Sequence, residues 1–299
     1  MIAERTTKPS TEPLTPAVST STRRSRIRVE RALAYVGLTI CAVIFIFPLF
    51  WLLVSAFKTP SQIFANPPVW MPHPLSTGNF TELWREANPL RAFVNSVVIS
   101  AGSVFLTLFL CSLAGYAFAK FPEAPGHKWL YGFVLGTMMI PSAVTLIPSF
   151  LVLVKLHWVN TYLAMIVPGA VGAFGIFWMR QYIAAHVPDD LIAAARIDGC
   201  DEFGIFLRVV LPIVRPALAA LGIMQLIGSW NNLMWAFVVL RTKDMFTLPI
   251  VIYLLQGEMR TPYGMLMAGG LLTTLPLVIA FLIFQKQFIA GITAGAVKE

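Results

Sequence analysis

Apolar and polar residues are grouped along the chain in long blocks, not in the short periods of a soluble domain. Six apolar runs, 33–56, 94–119, 129–154, 163–179, 217–240 and 265–284, approach or exceed the roughly 20 residues a helix needs to cross a bilayer core. The fourth is the shortest and carries Pro168, Gly169, Gly172 and Gly175. A seventh run, 246–256, is only about half a span long and contains Pro249, which predicts a short surface or extracytoplasmic helix. The pattern predicts an all-α membrane protein: six transmembrane helices over 32–299, preceded by a disordered basic tail over 1–31, rich in Ser, Thr, Pro and Arg.

One polar, helix-prone stretch, 188–216, interrupts the apolar blocks between the fourth and fifth runs. Pro188 followed by Asp189 and Asp190 is a helix-start signal with acids in the first turn. Ala193, Ala194 and Ala195 favour helix, and Gly199 is able to take a positive φ and end it. A second helix starting at Asp201 or Glu202 puts Phe203, Phe206, Leu207 and Val210 at i, i+3, i+4 and i+7, on one apolar face. Pro212 and Pro216 then set the entry to the fifth run. Such a helix–turn–helix offers its ridge to a partner or packs it on the protein's own helices. The spacing leaves both open.

Composition agrees with a membrane protein: 57% of residues are hydrophobic and 12% charged, against about a quarter charged in soluble domains. The net charge of +8 reads as an orientation signal and not as a nucleic-acid footprint. With the N-terminus inside, fifteen of the 22 Lys and Arg residues fall on the cytoplasmic side and seven outside. Both termini and the 188–216 loop then face the cytoplasm. Cys41, Cys111 and Cys200 suggest neither a disulfide framework nor a metal site. Asn79-Phe80-Thr81 matches a glycosylation acceptor, a weak three-residue pattern.

The chain has no G-x-x-x-x-G-K-[ST] loop and no Ser/His/Asp or Cys/His arrangement, so we expect no catalytic residue, metal or cofactor on it. The six runs contain no Asp, Glu, Lys, Arg or His, which counts against proton coupling and suits a neutral, hydroxyl-rich solute. The fifth run carries a polar cluster of Gln225, Ser229, Asn231 and Asn232, beside Trp230 and Trp235. These residues either line a path and stack on a passing sugar or bond neighbouring helices.

The order Ala194-Ala195, two residues, Asp198-Gly199, then Leu211-Pro212 resembles the "EAA" loop of ABC-importer permeases. The glutamate usual there is Ala193 in this chain, with Asp189, Asp190 and Glu202 nearby, and Cys200 stands where alanine is usual. Ser55 to Pro60, Asn95-Ser96, Tyr116-Ala117-Phe118, Met139-Ile140-Pro141, Ile147-Pro148, Trp230-Asn231-Asn232 and the end from Gly291 to Lys298 are similar to the carbohydrate-uptake branch, specifically its smaller maltose- or glycerol-phosphate-type permease subunit.

The resemblance implies a type I ABC-importer permease fold in the plasma membrane. It implies pairing with a homologous second permease, an ABC ATPase dimer that binds ATP and Mg²⁺ below, and an extracytoplasmic solute-binding protein above. Ala194, Ala195, Asp198, Gly199, Phe203, Phe206, Leu207 and Pro212 would couple to the ATPase, and Gln225, Trp230, Asn231 and Asn232 would line the path. Gln256, Gly257, Glu258 and Tyr263 would meet the binding protein. Two other classes stay open on the sequence: an ion-coupled secondary transporter, and an ABC permease for a non-sugar solute.

Overall fold

The computed structural model describes residues 20–256 and 262–296, and every regular element among them is helical. The chain divides into two units, residues 1–51 and 52–299. Helix α1 (Thr20–Ala56) supplies all of the first unit that is described. Leu33, Val36, Ile40, Val43, Ile44 and Phe47 are all exposed on it. Apolar side chains around the whole circumference suit a helix solvated by lipid. Residues 20–31 of the segment expected to form a tail are helical. No Gly or Pro lies between Thr20 and Val36, so the arginine-rich segment joins α1 from Thr20, and residues 1–19 lie outside the described residues.

In the second unit, α2 (Pro60–Ile63) and α3 (Gly78–Ala87) lead into the long α4 (Pro89–Lys120). Asn79 is buried and donates to the carbonyls of Ala56 and Lys58 at 2.9 and 2.8 Å, so the glycosylation triplet is a structural clasp. Then follow α5 (His127–Thr137), α6 (Ser142–Lys155), α7 (Tyr162–Ile166), α8 (Ala173–His186), α9 (Asp189–Ile197) and α10 (Glu202–Ile205). A π turn (Phe206–Val210) and α11 (Leu211–Ile213) precede α12 (Arg215–Trp230) and α13 (Leu233–Val239). A 3₁₀ turn (Lys243–Met245), α14 (Leu248–Leu254) and α15 (Tyr263–Ala296) complete the order. The seven residues of α14 fit the half-length run, at about 10 Å.

Of the six expected spans, three are unbroken and apolar enough to cross a membrane: Glu30–Ala56, Pro89–Lys120 and Tyr263–Gln285. The other three are each divided. The third bends by 104° between α5 and α6, where Pro141 starts α6. The fourth is interrupted between α7 and α8 by residues 167–172, which hold Pro168, Gly169 and Gly172. The fifth stops at Asn231, and the Asn232 side chain caps α13 by accepting from the Trp235 amide at 3.2 Å.

Around α4 the packing uses small residues, which let membrane helices approach closely. A Cβ added at Gly115 would lie 2.7 Å from Met179 Cβ, and one at Gly175 2.8 Å from Cys111 Sγ, so α4 and α8 meet nearly backbone to backbone. At the N-terminal end of α4, Asn95 donates to the carbonyls of Asp244 and Phe246 and accepts from the Tyr162 hydroxyl at 2.7 Å. Ser96 accepts from the Leu248 amide at 2.9 Å. The C-terminal end of α4, about 37 Å from Asn95 at 1.5 Å per residue, packs on α9 and the π turn.

Candidate functional site

The 188–216 stretch forms an elbow with well-defined stops. Pro188 precedes α9, whose first turn holds Asp189 and Asp190, favourable at a helix N-terminus. Gly199 has φ +82°, its amide donates to the Arg196 carbonyl, and the Cys200 amide donates to the Ala195 carbonyl at 3.0 Å. This pair of bonds is the Schellman stop. Asp201 then caps α10, its carboxylate accepting from the Gly204 amide at 3.2 Å.

The apolar face expected of the second helix is split. Ile205, Phe206 and Val210 are fully buried in the core with Ile183, Ile192 and Val214. Phe203 and Leu207 are 48% and 41% exposed. The cause is the π turn. Pro212, itself exposed, has no N–H for the Arg208 carbonyl four residues earlier, and the Leu211 amide bonds Phe206 instead, breaking the i, i+3, i+4, i+7 register. On α9, Ala195 and Ile192 turn inward, while Ala194, Asp198 and Ile197 face out, Ile197 at 87% exposure. The outer ridge is therefore Leu191, Ala194, Ile197, Phe203 and Leu207. Ile197 was missed, although its spacing from Leu191 and Ala194 on an alanine-rich helix was the available signal.

Polar bonds tie the elbow to α4. Lys120 Nζ lies 2.5 Å from both the Val187 carbonyl and Asp189 Oδ1. The Tyr116 hydroxyl donates to Glu202 Oε2 at 2.7 Å, and Arg196 Nε meets Glu202 Oε1 at 2.6 Å. The Arg196 guanidinium, helped by the Tyr116 hydroxyl, holds the Glu202 carboxyl below its ordinary pKa.

The breaks in the third, fourth and fifth spans converge. A cavity of about 570 Å³ is lined by Ser142, Thr145 and Ser149 on α6, Pro168 and Gly169 of the fourth-span break, and Asn232 and Trp235. Gln225 lines a separate cavity of about 320 Å³ with Thr107 and Gly172. Trp230 is buried, its indole N–H donating to the Thr273 carbonyl at 3.1 Å and its ring edge-on to Phe93. Asn231 donates back to the Ile227 carbonyl at 3.0 Å. Of the four expected path residues, only Asn232 reaches the larger cavity. The α6 hydroxyls were missed because their spacing, 142, 145 and 149, lies inside a run that reads as continuously apolar.

Tyr263 stands edge-on to Phe64 at 5.1 Å and shares a cavity of about 390 Å³ with Glu82 and Glu86. Gln256 is exposed, while Gly257 and Glu258 lie outside the described residues.

Comparison with known proteins bears on this geometry directly. Residues 111–293 match the family described as binding-protein-dependent transport system inner membrane component. The chain belongs to that family. The matched region contains the elbow and all three broken spans. Among its relatives, the arabinooligosaccharides transport system permease protein AraQ of Halalkalibacterium halodurans is 41% identical over 88% of this chain and 95% of its own length. The lactose transport system permease protein LacG of Rhizobium radiobacter is 32% identical over 91% and 98%. The fold matches a chain of a bacterial ABC transporter involved in import of the acidic polysaccharide alginate, with a TM-score of 0.78, 21% identity, and coverage of 92% of this chain and 100% of that one.

Proposed function

We propose that this chain is the transmembrane permease subunit of an ATP-driven, binding-protein-dependent importer, carrying a sugar across the plasma membrane by alternating access. It acts with a homologous second permease, an ABC ATPase dimer and an extracytoplasmic binding protein. ATP and Mg²⁺ are used on the ATPase. Six spans place both termini and the elbow in the cytoplasm.

The observation that carries the reading is the two-sided elbow. Its inner face is built into the core, while Ile197, Phe203 and Leu207 stand out as an apolar ridge. A ridge of that kind fits a groove on a partner. Closure of the ATPase dimer moves the groove, and the spans turn between inward- and outward-facing states as rigid bodies. The polar groups of the otherwise apolar cavity support a hydroxyl-rich solute. Asn232 offers amide hydrogens, Ser142, Thr145 and Ser149 offer hydroxyls, and Trp235 offers an aromatic face. The names of the relatives support an oligosaccharide.

The test is uptake of labelled arabinotriose, lactose or raffinose into proteoliposomes carrying the complete importer. Uptake that needs ATP and the binding protein is the expected result. Accumulation driven by an ion gradient without ATP overturns it.

A further inference from the structure

The elbow is held by more than the two spans it joins. Tyr116 and Lys120 are one turn apart on α4 and grip it at two points: Lys120 at its entry, through Val187 and Asp189, and Tyr116 at its second helix, through Glu202. Glu202 uses both carboxylate oxygens, one for Tyr116 and one for Arg196, so a single group joins α4, α9 and α10. The Arg196 guanidinium lies 5.8 Å from the Phe121 ring centre, and Phe121 meets Tyr116 edge-on at 5.7 Å. The tie from the elbow to α4 is not local in sequence: Tyr116 and Glu202 are 86 residues apart.

The covalent joints of the elbow are bends. On one side the chain turns 83° at Val214, between the segment 202–213 and α12, and on the other it turns at Val187 and Pro188. A push on Ile197 would be absorbed by flexing at those joints unless the elbow were braced sideways. A carboxylate bonded through both oxygens is such a brace, because it cannot rotate without breaking a charge-assisted bond.

We propose that Glu202, acting with Tyr116 and Arg196, is a positioning residue that passes motion of the docked elbow laterally into α4. The motor then drives a third span besides the two that flank the elbow. This deepens the importer reading and rests on it for the source of force. Through α4 the motion reaches the Asn95 clasp and α7, whose Met165 borders the larger cavity. Glu202 and Arg196 are each about half exposed, so their pairing contributes little to folding. Its work is geometric.

Two variants of the full chain test this: Glu202→Gln, which is isosteric, and Tyr116→Phe, which keeps the ring against Phe121 and Phe206. Spin labels at Ile197→Cys and Phe105→Cys, both exposed, with Cys41 and Cys200 changed to Ser, report the elbow-to-α4 distance in nanodiscs. We expect a narrow distribution in the parent and about twofold broader ones in both variants. In the assembled importer, ATP hydrolysed per sugar imported rises about threefold or more in both variants, the scale of one solvent-screened charge-assisted bond. Unchanged distributions overturn the proposal, as do broadened ones with an unchanged ATP ratio. Absence of ATP-driven uptake in the parent sinks the importer reading instead, and the spectroscopic arm still reports on the brace.

Discussion

Ile197→Ala separates docking from folding. The side chain is 87% exposed on the free chain, so its truncation removes almost nothing from the folded state, and surface changes of this type stay within about 0.5 kcal/mol. If Ile197 is the tip of the ridge that enters the ATPase, the same truncation deletes three carbons from a buried contact. At about 0.8 kcal/mol per buried carbon, with incomplete burial allowed for, the loss is about 2 kcal/mol, or roughly a 30-fold weaker complex. Phe206→Ala is the opposite case. That ring is fully buried between Tyr116 and Phe109, and its removal costs about 3–5 kcal/mol of folding stability. The assay pairs thermal unfolding of the purified permease with titration of immobilised permease by the ATPase subunit. The expected result is an unchanged Tm and lost affinity for Ile197→Ala, and a lowered Tm for Phe206→Ala. An Ile197→Ala variant that binds the ATPase as tightly as the parent refutes the docking geometry.

Three further outcomes follow from the same structure. Gly199→Pro fixes φ near −65° where +82° is required and removes the amide that bonds Arg196, so uptake is lost while membrane insertion, read by fractionation, persists. Asn232→Leu raises the KM for sugar uptake severalfold, whereas Asn231→Leu leaves it near the parent value, because Asn231 is spent on its own helix; equal effects of the two would remove the cavity from the path. The Glu202 carboxyl has a folded pKa below its ordinary 4.5, so its contribution to stability is present above pH 4.5 and is lost as pH falls through the folded value. Because the pair is half exposed, Glu202→Gln flattens the acid limb of the Tm–pH curve only slightly, and a steeper limb in the variant contradicts the pairing.

Much of this architecture was legible in the apolar pattern, and the exceptions have physical causes. Gly199 and Asp201 were readable because a left-handed stop and a capping carboxylate are local devices, settled by one residue each. The half-length α14 was readable from length alone. The span breaks were not. Pro48, Pro148 and Pro276 sit inside continuous helices, whereas Pro141 begins one after a 104° bend. A proline removes one backbone bond in either setting, and only the surrounding packing decides whether the helix survives. The split of Phe203 and Leu207 from Phe206 and Val210 depended on the π turn, which ordinary helical spacing does not anticipate. The tie from Glu202 to Tyr116 joins residues too distant for any pattern to pair them.

The corner at Gly199 has a consequence for how partners are chosen. The amides of Asp198, Gly199 and Cys200 are all consumed by carbonyls of the same short helix, so none is on offer to a visitor. Matchmaking at this tip falls to a handful of protruding side chains. Those side chains could be transplanted onto another carrier's elbow, and a change of cargo deep in the bundle need not disturb the choice of engine.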